Sequence, residues 1–253
     1  MAAPKKQINS GPIWDQVDER SKKEIALRKP KKSEFNRAGK IADILEANFP
    51  EADCALNHAN PFQLLVATIL SAQCTDARVN MVTPALFKKY KTPSMFAAAP
   101  EGELENDIRS TGFFNSKAKA LREASKGIIE RFGGKVPVSI PEIQTLRGAA
   151  RKTANVVRMH AFKLPGMAVD THFSRISQRL ELTESTDPEK IEFDVEALLP
   201  PERWTRFADA MILHGRKTCH ARNPQCEVCP IFDLCPSGRI FLAERAQKKA
   251  PRR

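Results

Sequence analysis

Cys219-His220-Ala221-Arg222-Asn223-Pro224-Gln225-Cys226-Glu227-Val228-Cys229-Pro230-Ile231-Phe232-Asp233-Leu234-Cys235 sets four thiols in one short stretch, with six, two and five residues between them. Thiols this dense are metal ligands or disulfide partners. The rest of the chain favours a metal. Only six cysteines occur in 253 residues, and the other two, Cys54 and Cys74, lie far upstream. No apolar signal segment opens the sequence, and a chain this long buries enough apolar surface to fold without covalent staples. Structural zinc sites usually pair two close Cys-x-x-Cys elements across a longer spacer. Here only Cys226 and Cys229 form such a pair, and Cys219 and Cys235 flank it closely. A single compact loop suits one [4Fe–4S] cube, which takes four thiolates. A zinc knuckle is the alternative the spacing leaves open.

Charge points to the partner. Lys and Arg total 41 against 30 Asp and Glu, a net charge of +11. A folded chain with that surplus is expected to meet a polyanion, most often nucleic acid. No apolar run approaches the length of a membrane span, so no membrane partner is expected. Unpaired cysteines and an iron site suit a reducing interior, hence a cytoplasmic placement.

Upstream of the cysteine loop the pattern is helical. Residues 1 to about 32 are rich in Lys, Arg, Ser and Pro and read as a flexible basic arm. From Glu34, with Ser33 as the cap, Ala38, Ile41, Leu45 and Phe49 mark one helix face. Asn60-Pro61 opens the apolar helix Phe62–Leu70, cap residue then proline. Val79, Val82, Leu86 and Tyr90 line another helix. Asn115 is the expected cap of a long one ending at Gly133-Gly134. Further helices are expected over 188–199 and 203–214. Alternating apolar and polar runs are scarce, so the fold class is all-α.

Ser139-x-x-Glu142, with Pro141 just inside, is a capping-box start. It opens a short helix to Leu146, followed by Arg147-Gly148-Ala149-Ala150 and a second helix from Arg151. Two helices joined by a tight glycine-bearing turn can aim backbone N–H groups at a phosphate, although most such pairs only pack. Lys152 lies in the first turn of the second helix. The positive end of the helix dipole and the neighbouring Arg151 should both oppose a charged ammonium there, and the neutral amine is the nucleophilic form. Asp170 stands where a helix through Phe173 and Ile176 should begin, as an N-cap with a carboxylate to spare for chemistry.

Taken together, Leu70-Ser71-Ala72-Gln73-Cys74-Thr75-Asp76, Gly112-Phe113-Phe114-Asn115-Ser116-Lys117-Ala118, Arg151-Lys152-Thr153-Ala154-Asn155-Val156-Val157, Val169-Asp170-Thr171-His172 and His214-Gly215-Arg216 occur in order before the cysteine loop. Over roughly residues 35 to 240 this series resembles the endonuclease III family, bifunctional DNA glycosylases of base-excision repair. The resemblance implies two helical lobes around a DNA cleft. One, 54–166, would be a helical barrel with a helix-hairpin-helix; the other would join 33–53 to 167–253 and hold a [4Fe–4S] cluster on Cys219, Cys226, Cys229 and Cys235. It implies a monomer acting on damaged double-stranded DNA at the nucleoid. Lys152 would be the nucleophile and Asp170 the catalytic carboxylate. Gln73 would fill the gap left by a flipped base, and Phe113 would be a wedge where the family commonly has leucine. His172 would lie near the damaged base. Arg147, Gly148, Ala150 and Thr153 of the hairpin, with Arg222 of the cluster loop, would meet the DNA backbone.

One motif departs from the family. Its hairpin usually reads Leu-Pro-Gly-Val-Gly, against Leu146-Arg147-Gly148-Ala149-Ala150 here. A glycine is usually kept for a backbone or an approach that a Cβ disfavours, so Ala150 predicts weaker DNA binding, with Arg147 as a compensating charge. Two rivals remain at the level of sequence. An adenine-removing enzyme of the same superfamily needs a glutamate before the Gln73 loop, and Leu64–Gln73 has no carboxylate. A catalytically silent iron–sulfur DNA-binding protein would keep the loop but has no use for both Lys152 and Asp170.

Overall fold

The structure, a computed structural model, describes residues 13–249, and every regular element among them is helical. In chain order the α-helices are α1 (Glu19–Leu27), α2 (Lys32–Asn48), α3 (Pro61–Leu70), α4 (Asp76–Lys89), α5 (Pro93–Ala97), α6 (Glu103–Asp107), α7 (Phe114–Phe132), α8 (Ile140–Gln144), α9 (Arg151–Ala161), α10 (Thr171–Arg179), α11 (Pro188–Glu196), α12 (Pro201–Lys217) and α13 (Pro236–Lys249). None is long and apolar enough to cross a membrane.

Local chemistry sets most of the boundaries. The Asn60 side chain accepts the Gln63 N–H at 3.0 Å, and Pro61 starts α3 where its missing N–H costs nothing. Gly133 ends α7 at φ +59, and the Gly134 N–H reaches back to the Ile128 carbonyl at 3.0 Å. Two expected caps are wrong. α2 begins at Lys32, ahead of Ser33, because the Glu34 carboxylate accepts the Lys31 N–H at 2.6 Å. The N-cap of α7 is Phe113 and not Asn115, which lies inside the first turn.

The helices bury two apolar cores. The first draws on α3 to α9, with Leu64, Leu70, Phe96, Ile108, Leu121 and Val157 among its members. The second joins α2 to α10, α11 and α12 through Ile41, Leu45, Phe173, Ile191, Trp204 and Phe207. α9 serves both: Ala154 and Val157 enter the first core, Met159 enters the second, and Val156 packs against each.

The flexible arm expected over 1–32 does not hold for its described part. Ile13–Gln16 makes a 3-10 turn, α1 follows, and Val17 is buried in the second core. Trp14 meets Trp204 edge-on at 6.1 Å. Basic residues that a solvated tail would leave in water find carboxylates on or beside α11: Arg28 reaches Asp194 at 2.6 Å and Arg20 reaches Glu189 at 2.8 Å. Residues 1–12 of that expected arm lie outside the described residues.

Candidate active site

The hairpin is built as its sequence demands, with one revision. Ser139 Oγ accepts the Glu142 N–H at 3.3 Å and starts α8. Gly148 sits at φ +82, and a Cβ there would stand 3.2 Å from the Ala120 methyl, so glycine is required on both counts. Ala150 has φ −73 and ψ 174, extended backbone open to any residue. The backbone objection to alanine at that position therefore falls away. No side chain caps α9, and its first intrahelical bond runs from the Ala154 N–H to the Ala150 carbonyl. The N–H groups of Arg151, Lys152 and Thr153 are thus left without a capping acceptor, at the positive end of an eleven-residue helix. That is an anion seat.

Two of the hairpin residues named from sequence are already buried or paired. Thr153 is 8% exposed, so its hydroxyl does not face an incoming strand and only its backbone N–H contributes to the seat. Arg147 is already paired with Glu123 at 2.8 Å, so any phosphate must compete with that carboxylate.

Lys152, Val156 and His160 recur at four-residue spacing on one face of α9 and line a cavity of about 270 Å³. Asp170 lines it too. Its Oδ1 accepts the Phe173 N–H at 2.8 Å, so the expected N-cap of α10 is formed and also faces the cavity. Ser71 and Asp76, at the two ends of the Gln73 loop, also line it. Asp76 pairs with Arg216 at 2.8 Å, joining α4 to α12 beside the opening. Arg151 does not act on Lys152 as an unopposed charge. It turns into the protein, where its Nε and Nη2 meet Glu192 at 3.0 and 2.8 Å and Nη2 reaches Ser21 Oγ at 3.2 Å.

Sequence reasoning missed His160. Its ring is buried between two carboxylates, with Nδ1 3.4 Å from Asp53 Oδ1 and Nε2 3.4 Å from Asp209 Oδ1. Each nitrogen faces its own carboxylate, an arrangement that clamps the imidazole. Nothing in the sequence paired these positions, which lie on three separate segments. His172 lies two residues beyond Asp170. It is not among the residues lining this cavity; its ring lies 3.2 Å from Arg175 Nη2 and its Cβ would stand 2.8 Å from any Cβ added at Gly215. The glycine of His214-Gly215-Arg216 is thus needed for α12 to pass α10.

Gln73 and Phe113 are both exposed, and both hold positive φ, +53 and +48. For side chains with a Cβ this is strained backbone, and Phe113 leaves 64% of its surface in solvent. Lys163, Glu181 and Asn223 share this backbone region, so positive φ alone does not mark the site.

The four cysteines of the C-terminal loop line one small enclosed space against α10 and α12. Among the described residues, the one group of three or more His, Cys, Asp or Glu with ligand atoms all within 4.8 Å of one another is Asp53, His160 and Asp209. The four sulfurs are therefore not gathered at the roughly 3.8 Å edges that a single zinc with 2.3 Å bonds requires. A [4Fe–4S] cube takes one thiolate at each of four irons, and this loop offers four around one space. Burial pushes the Cys229 thiol up to about 11, and a bound metal would hold it as the thiolate. Arg179 supports the site, with Nη1 3.1 Å from Cys219 Sγ. Arg222 stands exposed on the loop.

Comparison with known proteins agrees with this geometry. Residues 66–201 match the family described as HhH-GPD superfamily base excision DNA repair protein, and residues 219–235 match the iron-sulfur binding domain of endonuclease III. The chain is 51% identical over 208 residues to endonuclease III of Synechocystis sp., covering 82% of this chain and 95% of that one. It is 46% identical over 201 residues to endonuclease III of Bacillus subtilis, covering 79% and 90%. A solved non-covalent endonuclease III–DNA complex superposes with a TM-score of 0.79 at 42% identity, covering 83% of this chain and 98% of that one. A trapped endonuclease III–DNA covalent intermediate gives the same TM-score and identity over 82% and 98%.

Proposed function

The chain belongs to the endonuclease III family, and from that membership we infer that it works in base-excision repair as a DNA glycosylase with lyase activity, holding a [4Fe–4S] cluster on its C-terminal cysteines. Oxidised pyrimidines in double-stranded DNA are the proposed substrates. Damage that weakens stacking lowers the cost of extruding the nucleotide. The uncapped start of α9 then seats a backbone phosphate, Gln73 fills the vacated position, and Phe113 wedges the stack.

Chemistry is assigned to the cavity. The neutral Lys152 amine attacks C1′ of the extruded sugar, and the glycosidic bond breaks with its electron pair leaving on the base. The nitrogen gives up one proton and the ring oxygen O4′ takes one as the ring opens, leaving a protonated Schiff base. Removal of a C2′ proton then expels the 3′ oxygen and cuts the strand. Asp170 is positioned to relay those protons and to steady positive charge developing at the sugar. The cluster's part is structural: it fixes the loop that carries Arg222. The protein is proposed to act as a monomer in the cytoplasm, at the nucleoid.

One observation carries this reading. Lys152 and Asp170, eighteen positions apart, line the same cavity, and Lys152 lies on a helix whose start is an open anion seat. Borohydride trapping tests it. A duplex with thymine glycol or an abasic site should yield a covalent adduct that Lys152→Ala abolishes. No adduct from iron-loaded wild-type protein would support the silent DNA-binding alternative instead. The adenine-removing alternative is disfavoured by the composition of α3, which holds no carboxylate.

A further inference from the structure

Lys117, in the first turn of α7, is 5% exposed, and no carboxylate pairs with it. Its ammonium donates to two backbone carbonyls, Leu70 at 2.8 Å and Thr111 at 2.7 Å. Burying an ammonium in this way is costly, and a methionine would fill the volume more cheaply. Burial pulls its pKa below the ordinary lysine range, opposed only by the nearby Cys74 thiol. Packing does not explain the residue. The identity of its acceptors does.

Leu70 is the last residue of α3, three positions before Gln73. Thr111 closes the 3-10 turn Arg109–Thr111, two positions before Phe113. Both carbonyls belong to chain ends where helical bonding stops and an acceptor is left over. One side chain therefore ties the root of the Gln73 loop to the root of the Phe113 loop. These two loops carry the positive-φ residues Gln73 and Phe113. The third loop that an extruded nucleotide meets, the hairpin, takes no bond from it.

We propose that Lys117 is a positioning residue that sets the separation of the Gln73 and Phe113 loops, so that plug and wedge enter the duplex together on either side of the extruded nucleotide. The proposal rests on the reading above that these two side chains enter DNA. It assigns Lys117 no contact with the reacting sugar. Its ammonium acts at a distance from Lys152, through two main-chain oxygens.

The test compares two duplexes. The first carries an oxidised pyrimidine paired in the stack and needs extrusion. The second carries an abasic site facing a one-nucleotide gap, so there is no base to release and no partner base to part from. In Lys117→Met, excision from the first should fall about 100-fold, the loss typical of a catalytic part displaced by an ångström. Trapping on the second should stay within about twofold of wild type, since Lys117 itself does not line the Lys152 cavity. Visible absorbance of the cluster reports that the variant is folded. Gln73→Ala combined with Lys117→Met should cost little beyond the worse single change, because both remove the same event. Equal losses on both duplexes would reduce Lys117 to a structural residue and overturn the proposal. So would fully additive losses in the double variant, or unchanged excision. Failure of wild-type protein to trap either duplex would instead sink the functional reading itself.

Discussion

Replacing Ala150 with aspartate should make the protein more stable and a worse DNA binder at once. Ala150 is the N-cap of α9, offers no side-chain acceptor, and has an extended backbone that aspartate adopts without strain. A carboxylate there can take the N–H of Lys152 or Thr153 and sit at the positive end of the dipole. Capping is worth about 1 kcal/mol, and for a chain of this size that raises Tm by roughly 2 to 4 °C. The same carboxylate occupies the seat assigned to a backbone phosphate. Losing a charge-assisted contact worth about 1.5 to 3 kcal/mol weakens binding by roughly ten- to a hundredfold. Asparagine separates the effects: it supplies a cap of similar strength without repelling the phosphate, so its affinity should fall between wild type and aspartate. Thermal unfolding and fluorescence anisotropy with an abasic-analogue duplex, all at one salt concentration, read both quantities. If Ala150→Asp gained the stability and kept wild-type affinity, the start of α9 would not be where phosphate binds.

Other expectations follow from the same coordinates. Phe113→Gly should raise Tm, since about 1 kcal/mol of left-handed strain is relieved at an exposed position, while lesion excision in a gel assay drops sharply; a lower Tm would contradict the strain argument. Gly148→Ala should lose about 1 to 3 kcal/mol in urea unfolding, because alanine is strained at φ +82 and its methyl meets Ala120 at 3.2 Å. Glu196 is a buried carboxylate raised well above its ordinary pKa, first by burial and then by Glu192. Its folded form holds the proton more tightly than the unfolded chain, so it weakens the fold as pH rises above 4.5. Glu196→Gln should therefore raise Tm at pH 8 and leave it unchanged at pH 4; equal gains at both would refute the linkage. Cys229→Ser should abolish the cluster's visible absorbance and lower DNA affinity, with protein-bound zinc in its place counting against the iron assignment.

The parts of the site that were legible from sequence are those written within a few residues. The cysteine spacing, the Asn60-Pro61 start of α3, the Ser139–Glu142 box and the glycine pair ending α7 each act on their own neighbours. Lys152 and Asp170 were placed by motif, and one cavity brings them together. What escaped depends on partners far along the chain. The segment from Ile13 to Lys31 reads as solvated because its charges meet carboxylates on α11, more than 150 residues away. Arg151 seemed a neighbour of the nucleophile until Glu192 claimed it. His160 needed Asp53 and Asp209 from two other segments. Phe113 as a helix cap was hidden for a different reason: propensity disfavours an aromatic residue at positive φ, and a functional loop is where that rule is broken.

α9 is seated in both apolar cores at once, through Val157 on one side, Met159 on the other and Val156 between them. A rod held in two bearings stays put when the bodies around it swing. The amine near its head is therefore held by both packing bodies at once. The group proposed to react thus owes its alignment to the interior of the molecule, not to the loops proposed to grip DNA.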